Sequence, residues 1–273
     1  MRLVSFDALR TLRIPNVTYI KPERFYRELS AIETADWVLF PEHWQINALV
    51  YGLHRKIFPS QASYLLGHDK IEMTRAFAAL FPEHLPETLI EPNDPVAAER
   101  VFEHLSPPFV AKIPRSSMGE GVFLIDSRDA WRDYLRRTPV IYAQEYLPID
   151  RDLRILYVGE RIIGGFWRLQ APQGFHNNIA RGGVIDRAPI PRAARDLVVK
   201  MARAYGIDHA GFDVAMVNGH PYVLEFNRLF GNRGLQGRED RLAGAILSYL
   251  RQKSGNDGPG RPLRPRTRLR VAV

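Results

Sequence analysis

The sequence predicts an α+β protein in which a small α/β layer precedes a larger part with a mainly antiparallel sheet. Three observations favour this fold class. The 273 residues are 45% apolar and 25% charged, an ordinary globular composition that suits one large domain or two small ones. Short apolar runs alternate with helical patterns over the first 60 residues, and from Pro108 onwards strand-like runs follow one another through tight connections.

The N-terminal layer is predicted from this alternation. The runs LVSF, VTYI and WVLF are strand candidates, and helices are expected from Pro22 to about Ala35 and from about Glu42 to His54. Alternating strands and helices are typical of an α/β layer.

Two further helices are predicted by their patterns and first turns. One apolar helical stripe, with Asp69 near its start, consists of Met73, Phe77, Leu80 and Phe81. Asp94 followed by Pro95 is typical of a cap and first turn, and this helix should run to about Leu105.

The second part is predicted to contain two hairpins covered by two helices. Gly159 marks the turn of the first hairpin, and Asn218-Gly219 marks that of the second. Helices are expected at about 192–205 and 239–250.

Charge and composition exclude several classes of protein. The absence of cysteine excludes disulfides, thiolate zinc sites and cysteine nucleophiles. No run of about 18 apolar residues occurs, and the N-terminus has no apolar signal region, so we expect a soluble cytoplasmic protein with no membrane partner. Most of the net charge of +8 lies in residues 251–273, which hold seven basic residues and one Asp. This Gly-, Pro- and Arg-rich segment is predicted to be a flexible tail, more simply a solubilising end than an RNA-binding one.

The strongest chemical signal is the strand end YVLEFNR. Glu225 and Asn227 should project from one face roughly 7 Å apart, because strand side chains alternate. A strict two-residue turn at Asn218-Gly219 would set Asp213 opposite Leu224. We predict instead an odd loop or a bulge, with Val217 paired with Pro221, which sets Asp213 opposite Glu225 and gathers three oxygen ligands suited to Mg²⁺.

A second signal is the stretch FVAKIPRSSMGEGVFLI. Lys112 ends an apolar strand, and the loop after it contains small residues whose backbone N–H groups can approach an anion closely: Ser116, Ser117, Gly119 and Gly121. The pattern is neither a P-loop nor G-x-G-x-x-G.

Six stretches in order, from about residue 58 to 237, resemble the ATP-grasp superfamily, and within it the branch of the ribosomal-protein S6 glutamate ligases and related amino-acid ligases. They are FPSQASYLLGHDKIEMTRAF, PFVAKIPRSSMGEGVFLI, AQEYLPIDRDLRILYVGERIIGGFWRL, GFHNNIARGG, AGFDVAMVNGHPYVLEFN and RLFGNRGL. The resemblance implies the ATP-grasp fold, with two subdomains gripping ATP.

The resemblance also implies the nucleotide contacts. Lys70 and Lys112 would reach the phosphates, and the loop 115–121 would close over them. Asp152 would take the ribose hydroxyls, with Asp150 as a competitor. The adenine edge would be held by Gln144, Glu145, Tyr146 and Leu147.

The reacting groups follow from the same resemblance. Arg154, Arg168 and Asn178 match positions facing the phosphates and the acyl-phosphate site. Asp213, Glu225 and Asn227 match the metal ligands, with Mg²⁺ as the expected ion and Mn²⁺ as the alternative. The implied activity is an ATP-dependent ligase that joins a small carboxylate to an amine, such as an amino acid or peptide, and releases ADP and phosphate.

Three departures leave the substrates open. His176 stands where the family has an arginine, Arg228 follows Asn227 where the glutamate ligases tend to have a small residue, and the N-terminal layer is short. The expected organisation is a small domain at 1–62, an ATP-grasp domain at 63–250 and the tail. Two alternatives remain, a phosphotransferase acting on a hydroxyl and a nucleotide-binding scaffold whose tail binds RNA. Homo-oligomerisation is also left open.

Overall fold

The computed structural model describes residues 1–116, 121–169, 184–230 and 239–256. The N-terminal layer is a parallel four-stranded sheet in the order β2-β1-β3-β4. Its strands are β1 (Leu3–Ser5), β2 (Val17–Tyr19), β3 (Trp37–Leu39) and β4 (Lys56–Phe58). Short helices accompany the sheet at α1 (Ala8–Thr11), α2 (Leu29–Thr34) and α3 (Gln61–Leu66). The predicted α/β layer is therefore present.

Both long helices predicted in this layer are broken. The first becomes a 3-10 turn at Pro22–Arg27 followed by α2, because Glu28 between them leaves helical geometry, with φ −110° and ψ 22°. The second becomes a 3-10 turn at His43–Gln45 and a π-type turn at Ala48–Gly52.

The next two helices agree with their predicted start signals. Helix α4 (Lys70–Leu80) begins after Asp69, whose carboxylate accepts a hydrogen bond from the backbone of Ile71. Helix α5 (Pro95–Leu105) begins after Asp94, which caps its first turn in the same way. Phe81 is buried, but Leu80 is exposed, so the predicted apolar stripe is one residue too wide.

A four-stranded antiparallel sheet in the order β5-β8-β6-β7 forms the first half of the second part. Its strands are β5 (Thr88–Pro92), β6 (Phe109–Lys112), β7 (Val122–Ile125) and β8 (Val140–Glu145). Helix α6 (Arg128–Leu135) packs beside α5, and aromatic side chains such as Phe109, Trp131 and Tyr134 fill the core between helices and sheet. Strand β6 of this sheet ends at Lys112, one of the predicted phosphate-binding residues.

The other half is a five-stranded antiparallel sheet in the order β11-β10-β9-β12-β13. Its strands are β9 (Arg151–Val158), β10 (Arg161–Leu169), β11 (Val184–Asp186), β12 (His209–Val217) and β13 (His220–Asn227). Helices α4 and α7 (Arg192–Tyr205) share one core with this sheet. Helix α8 (Glu239–Asn256) contributes to a different core. The predicted antiparallel second part and both hairpins are thus present.

The β12–β13 hairpin reaches the predicted pairing by a different route. Asn218 and Gly219 form a tight two-residue turn with positive φ at both positions, so Val217 pairs with His220 and not with Pro221 as predicted. A register shift beyond Val214 then leaves Leu224 as an extra residue. Asp213 consequently lies opposite Glu225, as predicted.

The N-terminal sheet and the last helix share a hydrophobic core. Leu3, Trp37 and Leu39 from the sheet pack in one cluster with Ile246 and Leu250 of α8. Helix α8 continues six residues into the segment assigned to the tail, and residues 257–273 lie outside the described part. None of the helices in that part is both long and apolar enough to cross a membrane.

Candidate active site

The two antiparallel sheets bring their charged residues together beside the start of α4. A cavity of about 270 Å³ lies at this junction. Its lining includes Lys70 from α4, Ser116 from the loop after β6, and three residues at the end of β13: Glu225, Asn227 and Arg228. The elements that carry the predicted phosphate and metal groups therefore meet at one place.

Lys112 is a buried cation of the site. It lies at the end of β6 with 8% of its surface exposed, and its Nζ is 5.9 Å from the centre of the Tyr142 ring. Burial lowers the pKa of Lys112 to about 8, although the nearby carboxylates of Glu225 and Asp213 oppose this shift. A lysine held in this way has a strong preference for a further anionic partner.

The second predicted lysine holds the loop that follows β6. Lys70 Nζ donates a hydrogen bond to the Ser116 carbonyl at 2.6 Å and lies 3.6 Å from Glu225 Oε2. The loop closes through a bond from the Ile113 N–H to the Gly121 carbonyl. Gly121 is required there, because an added Cβ would lie 2.2 Å from Ser116 Oγ. The predicted loop residues Ser117 and Gly119 lie outside the described residues.

Asp213 is the acceptor for two arginines. Both of its carboxylate oxygens accept hydrogen bonds from Arg154, and Arg168 approaches one of them at 3.0 Å. Arg168 also donates to both oxygens of Asp152, at 2.6 and 2.8 Å. Burial lowers the pKa of Arg168, but the neighbouring carboxylates of Asp213 and Asp152 outweigh burial. The pKa of Arg168 therefore lies above its usual value. Strands β9, β10 and β12 thus hold a largely buried row in which arginine and aspartate side chains alternate.

The ribose contact predicted for Asp152 stays a prediction; in this structure its carboxylate is bonded within the row. The residue is 5% exposed, and Arg168 occupies both of its carboxylate oxygens. Burial raises the pKa of Asp152, and Arg168 opposes that shift. The competing residue Asp150 is exposed at the surface beside Arg151. Asn178 and His176, the other predicted members of the anion site, lie outside the described residues.

Glu225 and Asn227 lie side by side at the end of β13. Asn227 Nδ2 donates to Glu225 Oε1 at 3.3 Å, which leaves the Asn227 carbonyl oxygen as a potential ligand. Two carboxylates and an amide oxygen fit the chemistry of Mg²⁺. The described residues contain no group of three His, Cys, Asp or Glu side chains placed to bind a metal, so a site here needs the amide and a substrate oxygen.

The predicted adenine strand is β8 and the chain that follows it. Gln144 is buried, and its amide donates to Thr88 Oγ1 at 2.8 Å and to the Tyr142 hydroxyl at 3.2 Å. The Glu145 carboxylate accepts from the backbone of Glu87. Tyr146 is exposed, and the Leu147 carbonyl accepts from Ile149 N.

Sequence reasoning missed Tyr142 and Thr74. The Tyr142 ring lies under Lys112, while its hydroxyl is 2.7 Å from Thr74 Oγ1 on α4. Tyr142 and Gln144 are two positions apart on β8 and so project from the same face of the strand. The role predicted for Gln144 could therefore have pointed to Tyr142 as well.

Solved structures with this architecture include ATP-grasp proteins. A D-alanine–D-alanine ligase from Bacillus anthracis complexed with ATP superposes with a TM-score of 0.69 at 12% identity, over 94% of this chain and 99% of that one. The ATP-grasp ligase PsnB complexed with a minimal precursor, Mg and ADP gives 0.66 at 16%, over 91% and 96%. The predicted ATP-grasp fold is therefore confirmed.

The sequence comparisons narrow this class to one family. The family model for the RimK-like ATP-grasp domain matches residues 69–249. A probable alpha-L-glutamate ligase of Xanthomonas oryzae pv. oryzae (strain MAFF 311018) is 30% identical over 201 residues, which cover 71% of this chain and 68% of the relative. The chain belongs to the RimK-like ATP-grasp family.

Proposed function

We propose that this chain is an ATP-dependent ligase that joins the carboxylate of one small substrate to the amine of another, at least one of them an amino acid. The observation that carries the proposal is the meeting of Lys70, Lys112 and Glu225 in one site. The similarity to a probable alpha-L-glutamate ligase supports an amino acid as substrate.

The chemistry needs two anions to approach each other. A substrate carboxylate attacks the γ-phosphorus of ATP, which gives an acyl phosphate and ADP. An amine then attacks the acyl carbon, and phosphate leaves with its bonding electrons. Lys70 and Lys112 would offset the repulsion in the first step, and Arg154 and Arg168 would add positive charge nearby.

Mg²⁺ would supply further neutralisation of the phosphates when bound. Glu225, Asn227 and Asp213 are the residues we propose to hold it, because they provide the oxygen atoms this ion prefers. Asp213 is also bonded to Arg154 and Arg168, so those arginines fix the orientation of its carboxylate. We also expect backbone N–H groups of the loop after β6 to contact the phosphates.

The proposal is tested by ADP release from MgATP in the presence of pairs of amino acids, with mass spectrometry of the products. We expect release to require both a carboxylate and an amine, and an amide to form. Glu225→Ala should lower this rate by about 100-fold or more, since an electrostatic group of the phosphoryl-transfer site is removed. Glu103→Ala, an exposed change on α5, is the matched control.

Three results would contradict the proposal. A stable phosphoester with no amide would identify a phosphotransferase. ATP binding without any turnover would identify a nucleotide-binding scaffold. Unchanged turnover in a folded Glu225→Ala protein, checked by thermal melting, would remove Glu225 from the metal site.

A further inference from the structure

Arg228 occupies the wall of the cavity on the side of the N-terminal domain. It follows Asn227 at the end of β13 and lines the same cavity as Glu225 and Lys70. Its guanidinium carbon lies 4.7 Å from the centre of the Tyr64 ring on α3. Stacking on this ring fixes a planar group beside the cavity, where lysine would be held less firmly.

The charge of Arg228 lacks the carboxylate partner that the other arginines of the site have. Its Nε is buried without a hydrogen-bond partner, and in the described part of the chain no acid forms an ion pair with it. Arg154 and Arg168, by comparison, are both bonded to aspartates. A half-buried guanidinium with one buried, unpartnered N–H is stabilised when an anion binds to it.

The surroundings of Arg228 favour an anion from the cavity. His68 lines the cavity and stacks on His43, with ring centres 4.4 Å apart. Arg10 is a second cation close enough to oppose the charge on Arg228, and Glu42 is the acid that favours it. Arg10 is itself ion-paired with Asp7, and in the described part of the chain Glu42 makes no ion pair with Arg228, so the Arg228 guanidinium can still accept an anion from the cavity.

Strand geometry separates this side from the reacting groups. Glu225 and Asn227 project from one face of β13 towards Lys70, whereas the next position, Arg228, contacts Tyr64. A carboxylate that reacts must meet the phosphate beside Lys112 and Glu225. An anion beside Arg228 would therefore be a different group from the reacting carboxylate.

We infer that Arg228 binds the α-carboxylate of a free amino-acid substrate and so determines which substrates the site accepts. This inference rests on the proposed ligase function. A guanidinium binds a carboxylate through two parallel hydrogen bonds, which selects a carboxylate over the neutral amide of the same size. Arg228, the residue that departs from the family pattern at this position, would then determine substrate specificity.

The test compares each proteinogenic L-amino acid with its α-carboxamide by calorimetric binding to the full chain saturated with Mg²⁺ and AMP-PNP. We expect the wild-type protein to bind at least one amino acid about tenfold or more tightly than its carboxamide. Arg228→Met, which keeps the aliphatic stem on Tyr64, should lose this preference while it keeps the wild-type affinity for AMP-PNP. Arg228→Lys should restore part of it.

Arg100→Met is the control, because Arg100 is an exposed arginine paired with Glu91 on the surface. The inference is overturned if wild-type protein binds acids and carboxamides equally, or if Arg228→Met keeps the preference. If Arg228→Met does not fold, the wild-type and Arg228→Lys proteins still decide the question. Failure of the proposed function is distinct, since it would appear as an absence of AMP-PNP binding or of amino-acid-dependent ADP release in the wild-type protein.

Discussion

His209 is the residue whose burial has the clearest consequence for stability. Its ring stacks on Phe230 with centres 4.5 Å apart, its Nδ1 lies 2.5 Å from the Arg228 carbonyl, and its Nε2 has no hydrogen-bond partner. Burial lowers the pKa of His209 to about 3. The neutral ring is therefore part of the folded state at every moderate pH.

This shift predicts a pH-dependent loss of stability. Below pH 6.5 the unfolded chain binds a proton at His209 and the folded chain does not, so the free energy of unfolding falls as the pH falls. His209 should lower the free energy of unfolding at pH 5 by about 2 kcal/mol relative to pH 7.5. In His209→Phe, the change in unfolding free energy between pH 7.5 and 5 should differ from that of the wild type by this amount.

Urea unfolding at the two pH values measures the difference. Burial raises the pKa of the neighbouring Asp208 to about 6, which gives an opposite slope below that pH. This contribution is common to both proteins and cancels in the comparison. The exposed His104→Phe should behave like the wild type, and an equal response from His209→Phe would show that His209 titrates normally.

At the same scale, individual site residues differ in how far the sequence could place them. Lys112 and Glu225 were proposed as site residues because each lies towards the end of an apolar strand, which is a local signal. The pairing of Asp213 with Arg154 and Arg168 could not be found, because it requires three strands to lie side by side. The bonding of Asp152 to Arg168 could not be found for the same reason, since the arginine comes from the neighbouring strand.

Among the elements, helices with clear ends were the most predictable. Asp94-Pro95 located α5, and the apolar pattern located α7 at 192–205. For the β12–β13 hairpin, the sequence predicted the pairing of Asp213 with Glu225 but not which irregularity produces it. A three-residue loop and a bulge both shift the register by one, and the sequence contains no signal at Leu224 that separates them.

The loop between β6 and β7 allows a test at the scale of an element. Gly121→Ala should push the loop away from Ile113 and Ser116, because the new Cβ has no room. Since Lys70 holds the Ser116 carbonyl, we expect weaker MgATP binding with little change in melting temperature. Titration of AMP-PNP with Mg²⁺ measures the affinity.

Gly244→Ala is the control for this substitution. Nothing lies within 4 Å of a Cβ at Gly244, and this position is inside α8. Alanine there should raise stability by about 0.5–1 kcal/mol and leave nucleotide affinity unchanged. Wild-type affinity in Gly121→Ala would show that the loop does not contact the nucleotide.

For the whole molecule, the central fact is that the first and last described elements share a core. The domain boundaries expected from the sequence, at 62 and 250, rest on the family resemblance and on the composition of the tail. Composition does not show that Trp37 Nε1 donates to Ser254 Oγ at 2.9 Å, or that α8 packs with the N-terminal sheet. Such contacts depend on the folded path of the chain and have no local pattern.

Leu156 and Val158 of β9 also belong to this cluster, so we predict that the N-terminal layer and the five-stranded sheet unfold together. Ile246→Ala removes a fully buried side chain of α8 and should lower the unfolding free energy by about 2–5 kcal/mol. Hydrogen exchange of peptides from β1–β3 and from β9 should accelerate equally. Leu80→Ala, at an exposed position, should change neither. Faster exchange in only one of the two regions would show that they unfold independently.

The position of α8 also matters while the chain is being synthesised. Leu3, Trp37 and Leu39 leave the ribosome long before Leu242 and Ile246, which cover them in the finished protein. Until α8 emerges, the apolar face of the nascent N-terminal sheet is exposed to solvent. This face can bind chaperones or lead to aggregation. This sheet can therefore be covered only after α8 has been synthesised.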